Sequence, residues 1–192
     1  EMTALIYFFG RNGKVSSKEI NILHRLKVAY NPWICRYIRQ MTLIIPDKQY
    51  ISLQYKRHMG VAINWDNPKT LNEKLQWLKI YWRDPLATVC ADKYAVRDYV
   101  RDTIGEQYLN TLIGVYDTID EIDINSLPDK FVLKATHGSS MNIICSDKSK
   151  MNWGNEKKKL KRWLTTNYYC GNREWVYKNI KPRIICEEYL GD

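Results

Sequence analysis

The chain has 192 residues and a mass of 22.8 kDa, room for one ordinary domain or two small lobes. A composition 45% hydrophobic and 27% charged excludes a disordered tail, and no apolar run approaches the roughly 20 residues that cross a bilayer. The net charge of +9, with a pI of about 9.2, favours an anionic partner: a nucleotide, a nucleic acid, an acidic glycan or an anionic membrane surface.

From the start of the chain, Leu5 to Phe9 reads as a strand and Arg11 to Lys14 as a turn. Ala4 to Phe9 is too short for a signal-peptide core, and the first residue is Glu1 rather than an initiator Met. Ser16 to Glu19 opens a helical pattern with Ile20, Leu23 and Leu26 on one side. Arg36, Arg39, Lys48, Lys56 and Arg57 make this region basic, a solvated face or a surface for anionic lipid or glycan. Thr70 and Glu73 have capping-box spacing. Leu71, Leu75, Leu78 and Trp82 then recur along one helical face, which we read as core, and Pro85 marks the stop. A second helix is expected from about Asp92 to Thr103, ended by Gly105, with Lys93 in its first turn. A lysine there opposes the helix dipole unless an anion accompanies it, because helix N-termini attract phosphates.

Leu112 to Tyr116 reads as a strand, and Thr118 and Glu121 repeat the capping-box spacing ahead of Pro128. Phe131 to Leu133 is a short apolar run ending in Lys134; a small-residue loop and a second apolar run, Ile143 to Cys145, follow. A lysine at a strand end beside successive backbone N–H groups suits a phosphate, although the P-loop spacing is absent. The plainer reading of this stretch is a polar hairpin with a solvated lysine. Asn155 to Tyr168 reads as a helix with Leu160, Trp163 and Leu164 inside and Lys157, Lys158, Lys159, Lys161 and Arg162 mostly solvated. Pro182 to Cys186 is a last buried strand, leading into Glu187, Glu188, Tyr189 and Leu190.

The five cysteines, Cys35, Cys90, Cys145, Cys170 and Cys186, are odd in number and lack a Cys-x-x-Cys pair. That pattern argues against a disulfide framework or zinc site and for a reducing compartment. Three sit beside apolar residues and read as buried thiols. His24, His58 and His137 are too scattered for a metal-ligand pair. Tryptophan (7) and tyrosine (14) outnumber phenylalanine (3), a skew that suits stacking on sugars or bases as well as half-buried packing.

Several separated stretches together resemble the TupA-like branch of the ATP-grasp superfamily, the teichuronopeptide-biosynthesis type. They are Asn67 to Lys79, Asp92 to Arg97, Phe131 to Lys134 with His137 to Ser139, Arg173 to Trp175, and Lys181 to Ile185 with Glu187 to Leu190. The likeness runs over roughly residues 45 to 192. It implies an α+β, ATP-grasp-like but incomplete fold: residues 1–44 of unassigned role, a helical and α+β region over 45–128, and a nucleotide-binding lobe over 129–192. It further implies ATP as the bound nucleotide, with Lys93 and Lys134 neutralising its phosphates. Residues 137 to 142, which include His137, Gly138, Ser139 and Ser140, would close over the triphosphate. Glu187, Glu188, Tyr189 and Leu190 would form the hinge at the adenine edge, Glu187 accepting from the exocyclic amine.

The reaction implied is carboxylate activation through an acyl phosphate that an amine attacks, in cytoplasmic assembly of cell-surface polysaccharide at or near the inner membrane face. The implied partners are nucleotide and an acidic sugar or glycan precursor. No catalytic residue is assigned. Two departures shape the expectation. Ser140 and Met141 stand where the family loop carries glycines, at a cost on the order of 1 kcal/mol each if φ is positive there. The Mg²⁺ expected for the family would be held by residues after the hinge, and the chain stops at Asp192. A truncated or decayed protein that binds nucleotide weakly without turnover is therefore expected. Two alternatives stand beside this one. A glycosyltransferase is supported only by the Asp120 to Asp123 stretch, which lacks an Asp-x-Asp pair. A basic module for anionic glycan or nucleic acid rests on charge, and no nucleic-acid motif supports it.

Overall fold

The computed structural model describes residues 42–191, which fall into two compact units. One comprises the described residues up to Trp82 together with Cys170–Arg173; the other comprises Arg83–Tyr169 and the chain from Glu174 onward. The expected strand at Leu5 to Phe9 and the helix opening at Ser16 lie outside the described residues, as do His24 and Cys35.

In the first unit, helix α1 (Asp47–Met59) has Asp47 in its first turn and Lys56, Arg57 and His58 in its last, charges that complement the helix dipole at both ends. Gly60, at φ 76°, closes it by donating its N–H to the Lys56 carbonyl, a left-handed stop that favours glycine. Buried Arg173 braces this unit. Its guanidinium pairs with Asp47 at 3.2 Å and lies 4.1 Å from the Tyr50 ring centre, while its amino groups donate to the carbonyls of Cys170 and Thr42. A cavity of about 460 Å³, lined by Tyr50, Ile51, Gln54, Met59, Gln76 and Lys79 among others, belongs to the same unit.

Helix α2 (Leu71–Tyr81) starts where the capping box predicts. The Glu73 N–H donates to Thr70 Oγ1 at 3.2 Å, and Glu73 Oε2 accepts from the Thr70 N–H at 3.0 Å. The carboxylate also accepts from the N–H groups of Asn64 and Lys69, and this crowd of backbone donors pulls its pKa down to about 2. The buried face is not the expected one. Leu71 is 72% exposed, and Leu75, Leu78 and Trp82 are exposed too, whereas Gln76, Trp77 and Ile80 are half-buried. The helix carries two apolar stripes one residue apart, and helical periodicity alone does not tell which faces inward.

The second unit opens with α3 (Pro85–Ala91). Pro85 therefore starts a helix as well as following one, at the N1 position where its missing N–H costs nothing. Asp84 caps it, Oδ1 accepting from the Leu86 N–H at 2.9 Å. Helix α4 (Val96–Thr103) comes after a break at Asp92–Ala95.

Four strands follow: β1 (Leu112–Tyr116), β2 (Phe131–Ala135), β3 (Asn142–Cys145) and β4 (Ile184–Glu188). They form one antiparallel sheet in the order β1-β4-β2-β3. Between β1 and β2 the Thr118/Glu121 spacing yields only a 3-10 turn, Ile119–Glu121, in which Glu121 accepts from Thr118 Oγ1 and from the Asp117 N–H. Helix α5 (Trp153–Leu164) begins two residues before the expected Asn155, with Asn152 as its N-cap, and ends at Leu164 rather than Tyr168.

Strand alternation separates the sheet's two sides. Phe131, Leu133, Ala135, Ile143, Cys145, Ile184 and Cys186 point to one side and form the core with Leu160 and Trp163 of α5. At about 25 cal/mol per Å² of apolar surface, this continuous burial is the main stabilising term of the unit. Burial pushes the Cys186 thiol up to about 12, so it stays protonated. Among the described residues Cys145, Cys170 and Cys186 are buried and outside any disulfide, as expected, and Cys90 is exposed. The other side of the sheet carries Val132 and Lys134 of β2, Asn142 and Ile144 of β3, and Ile185 and Glu187 of β4. The architecture is α+β, as the sequence led us to expect.

Candidate nucleotide site

Lys134 stands on the side of the sheet away from the core because its neighbours Leu133 and Ala135 are claimed by that core. Register places Val132 opposite Glu187 and opposite Ile144, so Lys134, Asn142, Ile144 and Glu187 share one surface. Lys134 Nζ lies 2.5 Å from Glu187 Oε2, and the second carboxylate oxygen, Oε1, accepts from Arg97 Nη1 at 3.0 Å. The Glu187 and Arg97 side chains are only 9% and 11% exposed. Arg97 extends the network, donating through Nη2 to the Asn110 carbonyl at 2.6 Å. Asn110 Nδ2 donates in turn to the Glu188 carbonyl at 2.9 Å.

Lys93 reaches the same surface by a different route from the one expected. Helix α3 ends at Ala91, Asp92 caps its C-terminus, and α4 begins only at Val96, so Lys93 lies in the link between two helices and not at a helix N-terminus. Asp92 is used locally, its Oδ1 accepting from the Tyr94 N–H at 2.9 Å. The position of Lys93 comes from its own backbone, whose N–H donates to the Thr136 carbonyl at 3.2 Å. Thr136 is pinned in turn, its N–H donating to the Arg183 carbonyl at 3.0 Å and its hydroxyl to the Lys181 carbonyl at 3.3 Å. Lys93 Nζ then donates to the Gly138 carbonyl. Burial, followed by the nearby charge of Lys134, lowers the Lys93 pKa below its ordinary value, while Asp92 and Glu187 oppose that shift.

The loop from Thr136 to Met141 divides into a buried root and an exposed tip. His137 is 2% exposed, and its Nε2–H donates to the Trp163 carbonyl at 2.9 Å, tying the loop to the end of α5. Gly138 is also buried; a Cβ there would lie 2.9 Å from Tyr168 Cδ2 and 3.1 Å from Met141 Sδ, so only glycine passes without displacing a neighbour. Ser139 and Ser140 are exposed. Of the two residues standing in for glycine, only Ser140 has a positive φ, 59°. Met141 is half-buried and packs against the core cluster.

Of the sequence-predicted residues, Lys93 and Gly138 are hydrogen-bonded, Lys134 and Glu187 are ion-paired, and the two lysines lie close enough for one to shift the other. Both carboxylate oxygens of Glu187 are engaged by cations. The Glu188 main chain is engaged as well, its N–H donating to the Thr111 carbonyl and its C=O accepting from Asn110. Tyr189 is half-buried, with Lys130 5.8 Å from its ring centre, and Leu190 is 77% exposed. Sequence reasoning missed Arg97 and Asn110. Arg97 lies inside the stretch Asp92 to Arg97 that carries the resemblance, but its partner Glu187 is 90 positions away, and no local pattern announces such a pair.

Two cations paired to one carboxylate, with Lys93 close by and a loop of small residues at the end of a strand, give this α+β lobe a surface on which positive charge exceeds negative. The TupA-like ATPgrasp family model matches residues 73–192, more than half of the chain, and the chain belongs to that family. The match begins at Glu73, so the Asn67 to Asn72 stretch noted in the sequence falls outside it. Searches of curated proteins and of solved structures returned no significant match.

Proposed function

We propose that this surface holds ATP, with Lys93 and Lys134 on the phosphates and the backbone of residues 137–140 closing over them. The observation that carries this reading is the convergence of Lys93 and Lys134 on one side of the sheet, beside the Gly138 carbonyl. The residues present fit the nucleotide: the cations outnumber Glu187, and half-buried Val132 with exposed Ile144 on the same surface supplies an apolar floor for a flat base. With Glu187 and the Glu188 main chain already engaged, the base edge falls to the main chain of Tyr189 and Leu190. Glu187 then serves as counter-ion rather than as acceptor for the exocyclic amine.

Bound ATP supplies the phosphoryl group that activates a carboxylate. The chain's own contribution is to hold the phosphates between two ammonium groups that offset their charge, the positioning and electrostatic part of phosphoryl transfer. ATP-dependent chemistry of this family also implies Mg²⁺. Among the described residues no group of three or more His, Cys, Asp or Glu side chains could hold a metal ion. In line with the family, we place the reaction as a carboxylate–amine ligation in cell-surface polysaccharide assembly, with an acidic sugar or glycan precursor as partner. We place it on the cytoplasmic side, where the basic surface of the chain suits an anionic membrane face. Among the described residues, no helix is long and apolar enough to cross a membrane.

Calorimetric titration with ATP tests the reading. Binding that weakens at least about tenfold, or 1.4 kcal/mol, in Lys134→Ala and in Lys93→Ala supports it. Indistinguishable isotherms for wild type and both variants would falsify the phosphate assignment.

A further inference from the structure

We propose that Arg97 is a positioning residue for Lys134, acting through Glu187 as a counter-ion that the two cations share. The inference rests on the nucleotide reading above and concerns how that site releases its lysine to a phosphate.

Without a ligand, Lys134 is committed to Glu187 Oε2 at 2.5 Å. To engage a phosphate it must loosen this contact, and a carboxylate only 9% exposed would then lose a partner. A buried carboxylate left with no cation is costly, so a Glu187 paired to Lys134 alone would hold that lysine back. Arg97 changes the balance because it occupies the other oxygen, Oε1, at 3.0 Å and is itself almost buried. When Lys134 turns to an anion, Glu187 remains paired and in place.

The guanidinium is suited to this task by its shape. One amino group holds Glu187 while the other holds the Asn110 carbonyl at 2.6 Å, two directions that a single ammonium does not serve at once. Asn110 then fixes the Glu188 carbonyl at 2.9 Å, so the same arginine also sets the end of β4 from which the hinge departs. The cluster of Lys93, Lys134 and Arg97 around Glu187 keeps an excess of positive charge, and burial together with the nearby charge of Lys134 lowers the Lys93 pKa.

The test is a double-mutant cycle on the full chain, titrated with ATP by calorimetry, using Arg97→Ala, Glu187→Gln and the double variant. Arg97→Ala is expected to weaken ATP binding about tenfold. In the Glu187→Gln background, where Lys134 has no carboxylate to hold it, removing Arg97 is expected to change affinity less than about twofold. A merely structural arginine would give losses that add, and additive losses overturn the proposal, as does wild-type affinity in Arg97→Ala. Where Arg97→Ala does not fold, Arg97→Lys replaces it in the cycle, with the same coupling expected and additivity again overturning it. Lys134→Ala separates the two levels. If that variant binds ATP as wild type does, the nucleotide reading fails and this proposal with it. If Lys134→Ala weakens binding while the cycle is additive, only the role of Arg97 falls.

Discussion

Lys134 and Glu187 are diagonal neighbours on adjacent strands, Nζ 2.5 Å from Oε2, on the side of the sheet that α5 does not cover. Replacing Glu187 by Ala leaves Arg97 and Lys134 facing each other without a counter-charge, the Arg97 side chain being only 11% exposed. Loss of one partner from such a pair costs about 3 kcal/mol, with some relief from the more exposed Lys134. Urea unfolding of Glu187→Ala should show a midpoint shift of that order with an unchanged slope; a shift under about 1 kcal/mol would mean that solvent screens the cluster.

The loop tip offers a stabilising change. Ser140 holds a φ of 59°, a left-handed conformation that costs an L-residue about 1 kcal/mol or more, partly offset on substitution by glycine's greater freedom in the unfolded chain. Ser140→Gly should therefore raise stability by up to about 1 kcal/mol. Gly138→Ala should lower it, since the new methyl meets Tyr168 and Met141. Thermal denaturation of both variants should shift in opposite directions.

His137 makes stability depend on pH. Burial lowers its pKa, partly countered by the Trp163 carbonyl, with Lys93 lowering it and Asp92 raising it further. The unfolded chain takes up a proton near pH 6.5 that the native state resists, so the stabilisation is complete above about 6.5 and declines as pH falls below it. The melting temperature should drop between about pH 7.5 and 5.5, and His137→Gln should flatten that drop. A profile unchanged by the substitution would show that His137 is not its source.

The two helices whose apolar faces the sequence suggested should respond very differently to truncation. Leu160 is fully buried in the core, and Leu160→Ala should cost about 3 kcal/mol through lost contacts and the cavity left behind. Leu75 is 46% exposed, and Leu75→Ala should stay within about 0.5 kcal/mol. Equal costs would mean that the α2 stripe is buried after all.

Local chemistry was legible where it is written in neighbouring residues. The Thr70/Glu73 capping box, the apolar strand run from Phe131 to Leu133, and the buried strand at Ile184 could all be read from the chain, because each depends on residues a few positions apart. So could the family, because several spaced stretches agreed in order. Two kinds of information were not local, and only the tertiary structure decided them. Which apolar stripe of α2 turns inward depends on what packs against it, and Pro85 reads equally as the end of one helix and the start of the next. Lys93 is placed by a backbone hydrogen bond to Thr136, and Glu187 by cations from β2 and α4; these partners lie 43 to 90 positions apart and meet only when the sheet and helices assemble. Sequence pattern marks which residues can carry charge to the site, while long-range packing sets which charges meet, since electrostatic pairing depends on distance in space and not along the chain.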